Sequence, residues 1–192
     1  MSEAAAARLR ADPALEPVVE EYGVVHVEPA EDTFRRLLVS LIRQQVSIEA
    51  AAAIRERLFG AIDVTPAGVL TADEEQLRAC GLSAAKAEYA KAIARAYEER
   101  GYDRAFFAGM DDDAVVAELT DIRGVGPWTA KMFLVFCLAR PDVFPVEDLG
   151  IRRGMELVCD RELTRAGMRE RAERWAPYRS YASLYLWRAY EG

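Results

Sequence analysis

Apolar residues recur at helical spacing along most of this chain. After Asp32, the residues Phe34, Leu37, Leu38, Leu41 and Ile42 fall at i, i+3, i+4, i+7 and i+8, the stripe of one buried helix face. The stripe breaks at Gln44-Gln45-Val46-Ser47, and Ser47 is placed to cap a second helix through SIEAAAAIRERLFG. A third helix fits SAAKAEYAKAIARAYEER, with Ser83 as its N-cap and Gly101 just past its end. Asp111 opens DDDAVVAELT in the same way. The run KMFLVFCLA is apolar all round, which predicts a central helix rather than a surface one. Asp148 opens a further helix, and YRSYASLYLWRAY supplies the last. Alternation with a period of two occurs only in YGVVHVEP, a short extended lead-in. No internal repeat or low-complexity linker interrupts the pattern. It predicts an all-α protein of about ten short helices.

Composition narrows the setting. Hydrophobic residues make up 52% of 192 residues, enough for one domain or two small lobes. No apolar run reaches the ~20 residues that span a bilayer. The opening MSEAAAARLRADPALEP is charged and lacks a signal-peptide hydrophobic stretch. A soluble cytoplasmic protein is expected. Cys80, Cys137 and Cys159 are odd in number and widely spaced, without metal-ligand spacing. His26 is the single histidine, so zinc or Ser-His-Asp chemistry has little to build from. The net charge is −7 but uneven. Residues 1–120 carry 13 basic against 22 acidic side chains, and residues 121–192 carry 12 against 10. A local basic surface on an acidic protein therefore remains open. Only three of the 25 cations are lysines, Lys86, Lys91 and Lys131.

Chemistry concentrates between Asp121 and Met155. In GVGPWTA, Gly124 and Gly126 carry no Cβ, so both can take positive φ and let another backbone approach. Pro127 suits a first helical turn, where its missing N–H costs nothing. A helix, a tight turn and a second helix would leave outward N–H groups with the positive dipole end behind them, a seat for a phosphate. The same string also suits an ordinary packed helical hairpin. Asp148 follows Trp128 by 20 residues. On local grounds it is an N-cap, and Glu147 stands beside it as a competing carboxylate.

Longer strings add specificity. LTDIRGVGPWTAKMFL resembles the helix-hairpin-helix of the base-excision DNA glycosylase superfamily, and FPVEDLGIRR resembles the segment bearing its catalytic aspartate. LIRQQVSIEAAAAI is similar to its helix and base-intercalating loop. GLSAAKAEYAKAIARAY and ERWAPYRSYASLYLW are similar to two further family segments. In order, they cover roughly residues 32–190. The alkylation-repair branch, DNA-3-methyladenine glycosylase II, is the most similar; the extra N-terminal β-rich domain of its larger bacterial members has no counterpart here. The four-cysteine iron–sulfur loop of the endonuclease III branch is also absent.

The resemblance implies a two-lobed helix-hairpin-helix fold with the DNA cleft between lobes. Residues 31–136 would form a lobe holding the wedge loop and hairpin. Residues 1–30 and 137–192 would form the other, carrying the catalytic aspartate. It implies a monomer, associated with the nucleoid if the source is prokaryotic, that excises alkylated bases from damaged double-stranded DNA, with no membrane partner and no required cofactor. Asp148 would be the catalytic carboxylate, stabilising the positive sugar as the base departs. Trp128, Trp187 and Met132 would line the base pocket, where an indole attracts a cationic purine by ~1–2 kcal/mol. Core packing is the alternative fate of these side chains. Tyr178, Tyr181 and Tyr185 could also contribute. Gln45 would be the wedge, with Gln44 beside it. Gly124, Gly126, Thr129, Lys131 and Arg153 would contact the DNA backbone, with Arg123, Arg152 and Arg179 as further basic candidates. The carbonyls of Thr120, Ile122 and Gly124 would hold a structural Na+ or K+. Members that cut the backbone carry a lysine where Trp128 stands, which implies a monofunctional enzyme without lyase activity. A glycosylase for a different lesion and a non-catalytic DNA-binding module are the alternatives. A helical protein-interaction domain would leave the GVG turn and the glutamine pair unexplained.

Overall fold

Helix starts in this chain are written mainly in single side chains. In the computed structural model, which describes residues 1–192, α3 (Thr33–Arg43) begins where Asp32 accepts the Arg35 N–H at 2.8 Å. Ser47 caps α4 (Ile48–Ala61), Ser83 caps α7 (Ala84–Arg100), and Asp111 caps α9 (Asp112–Thr120), each as predicted. Gly101 ends α7 in the left-handed conformation. The apolar run forms α10 (Pro127–Phe136), with Ala130, Met132, Phe133, Leu134 and Val135 all buried. Asp148 caps α11 (Leu149–Cys159), and α13 (Arg179–Glu191) closes the chain.

The all-α class is as predicted, and six more helices complete it. Three of them, α5 (Pro66–Thr71), α6 (Glu74–Ala79) and α8 (Arg104–Ala108), have only five or six residues. That is under two turns, too short for a 3.6-residue period to register. The charged opening residues form α1 (Ser2–Arg10) and α2 (Glu16–Tyr22), and α12 (Arg165–Ala172) precedes a 3-10 turn at Glu173–Trp175. YGVVHVEP has no strand partner: Tyr22 ends α2 and the rest is irregular. No helix is long and apolar enough to cross a membrane.

The chain divides into two compact units. The first is continuous, Ala30–Leu138. In it α10 packs on α3 and α9, α3 packs on α4 and α7, and α7 carries α5 and α6. Leu37, Leu38, Leu41, Leu58, Phe107 and Phe133 are buried at its core. The second unit combines Met1–Pro29 with Ala139–Gly192. Its core gathers Leu9, Leu15, Val19, Ile151, Met155, Trp175, Tyr185 and Leu186. Here α11 lies against α13 so closely that a Cβ added at Gly154 would sit 2.0 Å from the Leu186 carbonyl oxygen.

Polar bonds tie the two ends of the chain together in this second unit. The Tyr185 hydroxyl donates to the Gly23 carbonyl at 2.7 Å. Asp12 accepts from the Arg171 guanidinium at 2.5 Å and from the Trp175 indole at 3.0 Å. Burial pushes the Asp12 carboxyl up, but Arg171, the Ala14 N–H and Trp175 outweigh it, so the group lies below its ordinary range. A carboxyl depressed by folding adds stability above its unfolded pKa and loses it as pH falls through the folded value. Asp12→Asn is expected to cost about 2 kcal/mol at pH 7. The gap to wild type should narrow once pH drops below about 4. Urea midpoints at pH 7 and pH 3 measure both effects.

Candidate functional site

The turn between α9 and α10 rests on one glycine, not two. Gly124 has φ 93°, and a Cβ there would lie 2.1 Å from Cγ of Tyr89 on α7. Gly126 is extended, φ −97° and ψ 176°, and a Cβ there would meet nothing within 4 Å. The expectation of positive φ at both positions is therefore corrected at Gly126. Pro127 takes the first helical turn as expected, and Gly126 supplies no side-chain cap to the N–H groups behind it.

The glutamine pair splits into two different residues. Gln44 turns inward: its Nε2 donates to the Gly124 carbonyl at 3.0 Å and to Thr129 Oγ1 at 2.8 Å. In the free protein it braces the loop against the hairpin. Thr129 is 1% exposed, so its side chain serves that brace rather than a surface. Gln45 is exposed and left-handed, φ 56°, a conformation that costs a non-glycine residue ~1–2 kcal/mol. Val46 and Ile48 beside it are also exposed. Behind the loop, Lys86 Nζ on α7 donates to the carbonyls of Ile42 at 2.8 Å and Gln44 at 2.6 Å. Sequence reasoning missed Lys86, although its place in GLSAAKAEYA and the rarity of lysine in the chain were visible.

Two of the three carbonyls expected to hold a monovalent cation already accept donors. Ile122 accepts the Val125 N–H at 3.0 Å, and Gly124 accepts Gln44. Each of these oxygens has a second lone pair, and the acceptor chemistry of the three carbonyls fits a monovalent cation.

On α10, Trp128 and Met132 stand one turn apart on one face. Trp128 is half-buried, whereas Met132 is 4% exposed and packs as a core side chain. Lys131 is half-buried on the neighbouring face.

In the other unit, Asp148 and Trp187 are brought together. Asp148 Oδ1 accepts the Ile151 N–H at 2.9 Å and the Trp187 indole N–H at 2.8 Å. Gly150 makes the second bond reachable, because a Cβ there would come within 2.8 Å of Trp187 Cδ1. Both residues are half-buried. Arg152 Nε approaches the Asp148 carbonyl at 3.4 Å. Glu147, the competing carboxylate, lies 3.9 Å from Arg169. The indole bond could not be read beforehand, since 39 residues separate the partners. Tyr181 and Tyr185 are buried core residues, which corrects their candidacy for a pocket. Arg179 clamps Asp142 through two 2.9 Å bonds and also bonds Glu173, so it is an internal strut. Arg153 and Arg123 are exposed and pair with Glu156 and Glu88.

A glycine turn entering an apolar helix, followed by a carboxylate held at the mouth of the next long helix, defines a helix-hairpin-helix protein with an acidic site. Residues 38–177 match the model of the HhH-GPD superfamily of base excision DNA repair proteins, and the chain belongs to that superfamily. It is 33% identical to the DNA-3-methyladenine glycosylase of Saccharomyces cerevisiae over 94% of this chain and 76% of that one. It is 30% identical to the putative DNA-3-methyladenine glycosylase YfjP of Bacillus subtilis over 92% of this chain and 66% of that one. The chain thus spans two thirds to three quarters of these relatives. The Schizosaccharomyces pombe 3-methyladenine glycosylase Mag1, solved in complex with abasic DNA, superposes with a TM-score of 0.88. It is 29% identical, over 96% of this chain and 95% of that one.

The two hairpin glycines should respond differently to a methyl group. Gly124→Ala meets both the positive φ and the Tyr89 ring, and about 3 kcal/mol of stability should be lost. Gly126→Ala should stay within about 0.5 kcal/mol of wild type. Thermal melts of the two variants, run side by side, distinguish them.

Proposed function

We propose that the protein is a monofunctional DNA glycosylase that removes alkylated bases of the 3-methyladenine type from damaged duplex DNA by hydrolysis. The observation that carries this reading is the carboxylate of Asp148, oriented by a backbone N–H and an indole N–H on one oxygen. Alkylation at N3 or N7 makes a purine cationic and a good leaving group. The C1′–N bond breaks with its electron pair leaving on the base, and positive charge develops on the deoxyribose. An ionised carboxylate stabilises that charge and orients water for attack at C1′. The water proton passes to the carboxylate or to solvent, leaving free base and an abasic sugar. The indole of Trp187 keeps Asp148 aimed, so it is a positioning residue whatever else it contacts.

Recognition would come from aromatic faces and from extrusion of the base. Trp128 offers a half-buried indole to a flat cation, worth ~1–2 kcal/mol when desolvated. Extrusion from the stack costs a few kcal/mol, and exposed Gln45 would fill the gap. The uncapped N–H groups of α10 and the open space over Gly126 suit a phosphate. Lys131 would add charge on the same helix, and in the other unit exposed Arg153 would offer a further cation to the DNA backbone. Trp128, standing where lyase members have a lysine, cannot form a Schiff base. This reading is supported by the names of the relatives and by a fold neighbour solved on abasic DNA.

Release of 3-methyladenine from methylated duplex DNA is expected, and Asp148→Asn should lower it at least about a hundredfold with the fold kept. Full activity in that variant would sink the mechanism. Borohydride should trap no covalent enzyme–DNA adduct; a trapped species would point to Lys131. Trp187→Phe keeps a ring but loses the N–H. It should reduce the single-turnover rate about tenfold while leaving DNA affinity nearly unchanged.

A further inference from the structure

The loop that carries Gln45 is held from behind by groups that the glycosylase reading leaves without a role. We propose that Lys86 is a positioning residue for the wedge, its ammonium clamping the carbonyls of Ile42 and Gln44 and so keeping Gln45 in its left-handed turn. The inference rests on Gln45 being the wedge.

A left-handed non-glycine residue persists only where its surroundings over-determine it. Here the preceding peptide is gripped twice. The Gln44 side chain is tied to Gly124 and Thr129, and its carbonyl is tied to Lys86. The second carbonyl bound by Lys86, that of Ile42, lies in the last turn of α3, where the helix dipole presents partial negative charge. Both acceptors of the ammonium are backbone carbonyls rather than carboxylates. Lys86 itself sits in the first turn of α7, where its N–H donates to Ser83 Oγ at 3.2 Å, so the clamp is mounted on a capped helix end. A compact ammonium with three rotatable donors reaches two carbonyls here, at 2.6 and 2.8 Å. Lysine at this place stands out in a chain whose cations are nearly all arginine. Half-burial holds the Lys86 ammonium below its ordinary pKa, a cost that an idle surface lysine would not bear.

A loop already set in its inserted shape loses little freedom when the base leaves the stack. Without the clamp, that ordering falls on the extrusion step. The consequence is selective. It should matter most where the lesion is paired, and least where its partner is missing and extrusion is cheap.

The test compares wild type with Lys86→Met. In the free protein, hydrogen exchange across residues 43–48 should speed up by about tenfold or more. In single turnover, the rate on a paired alkylated base should fall about tenfold further than on the same base opposite an abasic gap. Unchanged exchange with an unchanged ratio overturns the proposal, and so does an equal fall on both substrates. If the methionine variant melts, Lys86→Gln, which keeps donors at a shorter reach, takes its place. Wild-type inactivity on both substrates would instead defeat the glycosylase reading, and the exchange comparison would still decide the clamp.

Discussion

Where α11 meets α13, no side chain separates the two backbones. Gly154 lies so near the Leu186 carbonyl that a single methyl group could not be inserted. One turn earlier on the same helix, Gly150 leaves space for the edge of the Trp187 ring. These two absences of a side chain set the distance between the helices, and that distance lets an indole N–H reach Asp148. A carboxylate at a helix mouth is already oriented by its cap bond. The second donor arrives from a different helix, so the group is fixed by tertiary packing as well as by local geometry. Aim at the candidate site is thus a consequence of steric closeness several residues away.

The continuous unit solves the same problem with polar braces. Its hairpin turn is packed against Tyr89 at Gly124, and its exposed loop is bound to that hairpin through one amide. Gln44 therefore belongs to two elements at once. Any force on the loop is felt at the first turn of α10 through Thr129, and any movement of the turn is felt at Gln45. Loop and hairpin are thus joined by direct bonds, which suits a surface that must meet DNA without ordering itself first.

Much of this was legible in the sequence because helix caps are local. Asp32, Ser47, Ser83, Asp111 and Asp148 each sit three residues before the N–H they bind, and a reader of the chain sees both partners together. The helix-hairpin-helix string was legible for the same reason. What escaped depends on distance along the chain. Lys86 and Gln44 are 42 residues apart, and Asp148 and Trp187 are 39 apart. Identity alone also says little where burial decides. Arg179 is bonded to Asp142 and Glu173, the Thr129 hydroxyl bonds Gln44, and Met132 is buried, none of which their positions in the chain announce. A glutamine pair looks uniform in print, yet one member faces in and the other out.

The unit built from both chain ends has a consequence in time. During synthesis α1 and α2 emerge well before the residues that bury them, from Ile151 to Leu186. Ala30–Leu138 is continuous and can fold as soon as it has left the ribosome. Helices α1 and α2 must wait with Leu9, Leu15 and Val19 uncovered until α11 and α13 have been made. The Asp12 bonds to Arg171 and Trp175 close that gap, joining segments 159 and 163 residues apart.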